Sequence, residues 1–317
     1  MASPDLSYPP HQKLAHDLQL LRAPNPSAMT GPGTNTYVLG THDVVVIDPG
    51  PAIGVHLSAI LQAVPAGGRV SHILVTHSHL DHSALAPDLA RETGAPVFGF
   101  GVSGSGRSAV MARLAARGAV LGGGEGADPS FCPDRMLRDG QRLRGQGWQL
   151  RAVWTPGHFG NHMCFVGGGR LFSGDHVMGW ASSLVSPPDG DMGDYMASLR
   201  RLSRLRAGLC LPGHGAPFAQ PRARILALMA HRQAREAEIL AALGPNFVTL
   251  PDLCAQVYAD VPTALQGAAL RNLFAHLIDL HERGLIEPEG LLDPNTRFCR
   301  RLELGALVSL SQAPHQS

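Results

Sequence analysis

His77-Ser78-His79-Leu80-Asp81-His82 follows an apolar run at residues 71–75 and precedes residues 83–91, where Ala84, Leu85, Leu89 and Ala90 recur at helical spacing. Ile73, Leu74, Val75 and Thr76 read as a buried strand. The six residues then occupy a strand-to-helix loop in which four metal-binding side chains can converge on one point. Imidazole nitrogen and carboxylate oxygen suit zinc, manganese or iron, and no nearby cysteine offers the thiolates of a closed structural zinc site. The pattern points to a metal centre for hydrolytic chemistry. A plainer reading stays open: His77 and His79 settle a loop and Asp81 caps the next helix, because aspartate is a good N-cap and short histidine motifs recur by chance.

Working outward, Val44-Val45-Val46-Ile47 ends at Asp48, just before Pro49-Gly50. That carboxylate would emerge at the end of a buried strand, either as a partner for a metal-bound histidine or as an ordinary turn aspartate. Farther on, strand-like segments lead into Thr155-Pro156-Gly157-His158, Ser173-Gly174-Asp175-His176 and Pro212-Gly213-His214-Gly215. Each loop places a ligand type directly after a strand: His158, Asp175 and His214. Strand ends gathered on one sheet edge form a set that scattered histidines rarely imitate.

The remainder of the chain sets bounds. Its 317 residues allow one elaborated domain or a large and a small one. No apolar run is long enough to cross a membrane and the amino terminus does not resemble a signal peptide, so the expectation is a cytoplasmic protein with no membrane partner. Five scattered cysteines without CxxC spacing argue against a disulfide framework. The net charge is +1 and Lys13 is the only lysine, so no nucleic-acid footprint is visible at whole-chain level. Gly99-Phe100-Gly101-Val102-Ser103-Gly104 matches GxGxxG, but the acidic residue at the required spacing, Glu125, lies in a glycine loop rather than at a strand end, which argues against a dinucleotide site. Residues 1–12 read as irregular, and residues 108–117 as a short helix.

The ordered set of HxHxDH, Pro-Gly-His, Ser-Gly-Asp and Pro-Gly-His-Gly resembles the metallo-β-lactamase superfamily. The resemblance implies an α/β fold, the αββα sandwich, with two divalent metal ions at the sheet edges, zinc first and manganese or iron as alternatives. It also implies that His77, His79 and His158 hold one ion, that Asp81, His82 and His214 hold the other, and that Asp175 bridges them. An aspartate at the bridging position is similar to the family's thioesterases, lactonases and nucleases rather than to its zinc β-lactamases. Asn25-Pro26, Gly33-Thr34-Asn35-Thr36-Tyr37, residues 194–199 and residues 231–236 further resemble the branch containing the mitochondrial β-lactamase-like endoribonuclease and fungal polyketide-releasing thioesterases. That branch carries a small winged-helix-like carboxy-terminal domain. The expected division is a catalytic domain over 1–221, a mainly helical winged-helix-like domain over 222–292 and a tail over 293–317, whose apolar run at 302–310 would pack on the body or on another subunit as a homodimer.

The function expected is a binuclear hydrolase that uses a bridging hydroxide on a small-molecule acyl substrate: a carboxylic ester, thioester or lactone. Asp81 is the candidate catalytic residue that orients the nucleophile. The alternative is an endoribonuclease with RNA as substrate, and a more distant one is a non-catalytic protein with a DNA-reading winged helix. From Arg222 onward the arginines are matched by Asp and Glu, which argues against DNA. The segments at 25–35 and 182–194 contain no cation, while Asp189, Asp191 and Asp194 would repel a polyanion; arginines at 106–117 could still form a groove. Trp180, Leu184 and Met192 offer apolar contacts. Tyr195 and Asn35 are substrate contacts by resemblance or, equally, a packed tyrosine and a turn asparagine. His162 and His176 read as supporting residues beside the ligands.

Overall fold

Val44, Val45, Val46 and Ile47 are all buried and divide by parity, with Val44 and Val46 facing one core and Val45 and Ile47 another. Side chains of a strand alternate, so apolar residues on both faces place that strand between two layers. A computed structural model describes residues 10–119, 121 and 126–301. Its first sheet runs, in spatial order, β1 (His11–Ala15), β2 (Leu18–Arg22), β3 (Asn35–Leu39), β4 (Asp43–Ile47), β5 (Arg69–Leu74), β6 (Val97–Gly99) and β7 (Arg135–Met136). Pairing is antiparallel up to β4 and parallel from β4 to β7. The second sheet contains β8 (Arg142–Gly145), β9 (Trp148–Trp154), β10 (Met163–Gly167), β11 (Arg170–Gly174), β12 (Leu209–Pro212) and β13 (Phe218–Ala219), also in sequence order across the sheet.

Between the sheets lie Leu20, Tyr37, Ile47, Phe165, Phe172 and Leu211, with the Tyr37 and Phe172 rings edge-on at 5.4 Å. Helices α1 (Gly54–Ala63), α2 (Leu80–Ser83) and α3 (Ala86–Thr93) follow strands of the first sheet, and Ile60, Ala63, Ala86 and Leu89 cover its outer face. The single helix expected at 83–91 is thus two pieces. Pro87 lacks an N–H and is tolerated only in a first turn, so α3 begins afresh at Ala86. The first strand was also missed, because His11-Gln12-Lys13-Leu14-Ala15 at the sheet edge shows no apolar alternation in sequence.

Helix α4 (Ala109–Ala116) starts at Ser108, whose hydroxyl accepts from the Met111 N–H. Helices α5 (Met192–Leu202) and α6 (Pro221–Ala242) cover the second sheet with Tyr195, Leu199, Ile225 and Leu228. The result is an αββα sandwich. Beyond it, α7 (Leu250–Val257), α8 (Gln266–Glu282) and the antiparallel hairpin of β14 (Ile286–Pro288) and β15 (Phe298–Arg300) form a winged-helix domain. Its core contains Leu253, Leu273, Phe274, Leu277 and Phe298 and takes in Val110, Met111 and Leu114 of α4.

The second strand of the wing falls within what the sequence set apart as a tail from residue 293, because a three-residue strand carries no periodicity. Phe298 is nonetheless fully buried, 6.5 Å from the Phe274 ring. The expectations for residues 1–9, for Glu125 and for the run at 302–310 lie outside the described residues. Among the described residues no helix is long and apolar enough to cross a membrane.

Candidate metal centre

The carboxyl ends of β5, β9, β11 and β12 meet on one edge of the sandwich, and the loops leaving them carry His77 to His82, His158, Asp175 and His214. All seven expected residues are brought together. The ligand atoms of His77, His79 and His158 lie within 4.8 Å of one another, as do those of Asp81, His82 and His214 and those of His77, His82 and Asp175. His79 Nδ1 is 2.9 Å from His77 Nε2 and 3.2 Å from His158 Nε2, while His82 Nε2 is 3.3 Å from His214 Nε2. Asp175 reaches both groups: its Oδ2 is 3.2 Å from His214 Nε2 and 3.7 Å from His158 Nε2.

Three ring nitrogens aimed at one point cannot all be satisfied by one another, since each bond between two imidazoles needs one proton and one lone pair. A cation satisfies all of them, and the separations approach the edge of about 3.3 Å for a tetrahedron of nitrogens at zinc-like distance. The donor set of imidazole and carboxylate therefore fits divalent metal ions.

Burial, with the neighbouring imidazoles, holds His77 well below the usual histidine value and pushes His79 down to about 3. These rings are neutral and ready to ligate. At His82 and His214 burial pulls the same way, but the carboxylates override it: Asp81, Asp175 and Asp48 raise His82 well above its usual value, and Asp175 and Asp81 raise His214 to about 9. The same attraction outweighs burial at Asp81 and Asp175 and keeps both below the usual carboxylate range.

Several of the candidate ligands are held from behind. Asp48 Oδ2 lies 3.0 Å from His82 Nδ1, and the same carboxylate accepts from the Thr76 N–H at 2.7 Å and from its hydroxyl at 2.9 Å. The strand-end aspartate is therefore a partner of a site histidine. Nδ1 of His158 sits 2.7 Å from the Leu184 carbonyl, and Thr34 Oγ1 donates to Asp81 Oδ2 at 2.9 Å. Gly213 must be glycine, because a Cβ there would lie 2.2 Å from Asp175 Oδ1. The Gly99 to Gly104 stretch braces the same floor: Asn161 Nδ2 donates to the Gly101 and Val102 carbonyls and to Ser78 Oγ, while Asn161 Oδ1 accepts from the Ser78 N–H.

Several neighbours depart from the substrate-side readings, and Tyr195, His162 and His176 take the structural ones. Asn35 Nδ2 donates to the Pro212 and Gly215 carbonyls at 2.9 and 2.7 Å, so it pins the His214 loop and does not meet substrate. Tyr195 is fully buried and donates to the His176 carbonyl. Met192 is also core, beside Leu199. Asp189 binds Arg107, and Asp191 caps α5 and accepts from Ser108, so neither carboxylate repels ligands at the metal floor and Arg107 does not form a groove over it. Helix α4 is consumed in the carboxy-terminal core. His162 and His176 are buried behind the ligands, with His162 Nδ1 2.9 Å from Thr155 Oγ1.

The floor opens into a cavity of about 430 Å³. Met29, Met178, Trp180 and Leu184 form walls on the side of the sandwich loops, and Arg232, Arg235, Tyr258, Val261, Leu265 and Ala269, from α6 and the segment that follows it, form another wall. The sequence led to the expectation that the carboxy-terminal domain is a wall of the substrate site or a dimer element, but it did not single out the side chains by which that domain lines the cavity. Its only available signal is Arg232, which takes a place on the buried stripe of α6 beside Ile225, Leu228 and Ile239.

The family model described as Metallo-beta-lactamase superfamily matches residues 29–214, and that described as Beta-lactamase associated winged helix domain matches residues 249–291. Lactamase-like protein adaB of Aspergillus niger is 30% identical over 86% of this chain and 82% of its own. The Atrochrysone carboxyl ACP thioesterase of Aspergillus fumigatus is 34% identical over 69% of this chain and 62% of its own. Among solved structures, a metallo-beta-lactamase family protein of Thermus thermophilus superimposes with a TM-score of 0.72 at 28% identity, covering 91% of this chain and all of the other.

Proposed function

The chain belongs to the metallo-beta-lactamase superfamily and is a hydrolase of that superfamily, and from this premise we propose a binuclear enzyme acting on a carboxylic ester, thioester or lactone. The observation that carries the reading is the cavity. Its metal-competent floor is continuous with walls made largely of Met, Leu, Val, Ala and Trp side chains, which shelter an acyl chain and give little hold on a phosphate backbone. The similarity to a relative named as a thioesterase supports the same class.

His77, His79 and His158 would hold one ion, and Asp81, His82 and His214 the other, with Asp175 serving both; zinc is the first choice, with manganese and iron as alternatives. When bound, such ions supply water acidic enough to attack near neutral pH and positive charge beside the carbonyl oxygen. The chain's own residues orient the reactants. Asp81 Oδ2, fixed by Thr34 and lying 3.3 Å from His214 Nε2, is the acceptor that orients a proton of the attacking water. Leu184 and the Gly33 carbonyl hold the rings of His158 and His214 in register, the latter at 3.3 Å. The winged helix acts as a wall of the pocket instead of a DNA reader. Salt-dependent duplex binding that depends on α7 and α8 would overturn that assignment.

The test is a parallel assay of the metal-loaded wild type and Asp81→Ala on esters, thioesters, lactones and single-stranded RNA. Acyl turnover lost in the variant is the expected result. Metal-dependent RNA cleavage lost in the variant, with no acyl turnover above background, would replace this reading with a nuclease.

A further inference from the structure

Arg232 is 3% exposed, yet among the described residues no carboxylate pairs with it. Its Nη2 donates to the Ser183 carbonyl and its guanidinium lies 5.5 Å from the centre of the Tyr195 ring, while its Nε has no hydrogen-bond partner. A buried cation without a counter-charge is costly unless something else completes its shell. Tyr258 lies on the same wall, is 6% exposed, and its hydroxyl also lacks a partner. The two groups are close enough for the Arg232 charge to oppose the upward push that burial gives the Tyr258 hydroxyl.

Both residues line the cavity that begins at the metal floor, and Val261, Leu265 and Ala269 make the surface around them apolar. Arg235 lies on the same wall, 4.2 Å from the Tyr258 ring centre, but is already engaged by Glu238 at 2.8 Å and by the Val257 carbonyl. Asn272 is likewise occupied: its Oδ1 accepts from the Val185 N–H and its Nδ2 donates to the Ala268 carbonyl. Among the described residues lining the cavity, the buried side-chain donors without a partner are Arg232 Nε, the Tyr258 hydroxyl and Trp180 Nε1, and the first two belong to the wall that the carboxy-terminal segment supplies.

We infer that this wall holds a carboxylate-binding subsite, so that the preferred substrate is an acyl ester, thioester or lactone carrying a second carboxylate away from the scissile carbonyl. The inference rests on the acyl-hydrolase reading above and adds the chemistry of the acyl group. A carboxylate offers separate oxygens to the Arg232 guanidinium and the Tyr258 hydroxyl, and charge-assisted bonds of this kind are the strong ones. One guanidinium with part of its fork spent on Ser183 suits a single carboxylate and provides no track for a chain of phosphates.

Calorimetric titration of the metal-loaded full chain tests this without turnover. Succinate, adipate and suberate are compared with butyrate, hexanoate and octanoate, so that one carboxylate is common to each pair and the second is the variable. In the wild type the best dicarboxylate binds about tenfold or more tighter than its monocarboxylate partner. That ratio falls to about one or two in Arg232→Met, and Tyr258→Phe, which removes a single oxygen, lowers it by severalfold. The ratio of kcat/KM for carboxylated over uncharged acyl thioesters moves in parallel. Equal binding of both series by the wild type, ratios unchanged in Tyr258→Phe and Arg232→Met, or stronger binding of inorganic phosphate or a dinucleotide at the same wall would each overturn the subsite. Dicarboxylate preference without acyl turnover would leave the subsite standing and remove the reaction proposed above.

Discussion

The two ends of the cavity are built on opposite plans. At the floor, seven ligand-competent side chains crowd together from loops after four strands, and a cation would relieve their excess of mutual contact. At the carboxy-terminal wall, side chains come from α6, α8 and the turn between α7 and α8, and the polar atoms of Arg232 and Tyr258 are too few and too isolated to satisfy one another. One end is crowded with ligand atoms, the other short of partners. A cavity with that asymmetry orients what enters it: the reacting group goes to the floor and the distal group to the wall.

The most damaging change should fall on the floor. Asp175→Ala is expected to drop bound metal sharply from about two equivalents per chain, read by elemental analysis, because one carboxylate serves both groups. Asp81→Ala should cut turnover by about a thousandfold or more with an unaltered circular dichroism spectrum. Near-normal turnover in Asp81→Ala would erase the distinction between a reactive floor and a binding wall. Next in size is Phe274→Ala in the wall's own core, expected to cost about 3–5 kcal/mol of stability in chemical denaturation. A cost below about 1 kcal/mol would mean that the helices bearing the wall do not depend on that core.

Asp48→Asn probes the support beneath the floor. Loss of the acceptor behind His82 Nδ1 should weaken metal affinity by about 10–100-fold in chelator competition, and unchanged affinity would show that the His82 ring is held by packing alone. The smallest effect belongs to Asp194, in the first turn of α5. Burial and then Asp191 raise Asp194 to about 6, so the folded state favours its protonated form. The stabilisation linked to that proton is complete below the unfolded value near 3.8 and is lost as pH rises through about 6. Asp194→Asn should therefore melt higher than the wild type at about pH 7.5 and lose that advantage below about pH 4. A gap independent of pH would trace the gain to packing.

The floor was legible in the sequence because each ligand directly follows an apolar run and precedes a turn, so the residue type and its placement carry the same message. Asp48 belonged to that pattern, although its partner was visible only in three dimensions. That the carboxy-terminal domain walls the site was expected, but the polar residues on that wall were illegible for the converse reason. Tyr258 ends a short amphipathic helix, where a tyrosine is ordinary, and its orphaned hydroxyl depends on neighbours distant in sequence. The acidic stretch at 189–194 misled because sequence proximity to the floor is not direction: Asp191 turns back to cap its own helix and Asp189 outward to Arg107. The wing's second strand escaped because three residues cannot show a period.

Residues 183–185 tie the two plans together. Ser183 Oγ donates to the Asp175 carbonyl while the Ser183 carbonyl accepts from Arg232, the Leu184 carbonyl meets His158, and the Val185 N–H donates to Asn272 on α8. Severing α7 and α8 from the sandwich would thus break the Val185–Asn272 tie on the loop that holds two of the seven candidate ligands as well as uncover the cavity. Chimeras that graft α6 to α8 from another sequence onto this sandwich should function only when this tripeptide travels with them, so the unit of modular exchange is larger than the domain drawn from the chain's own punctuation.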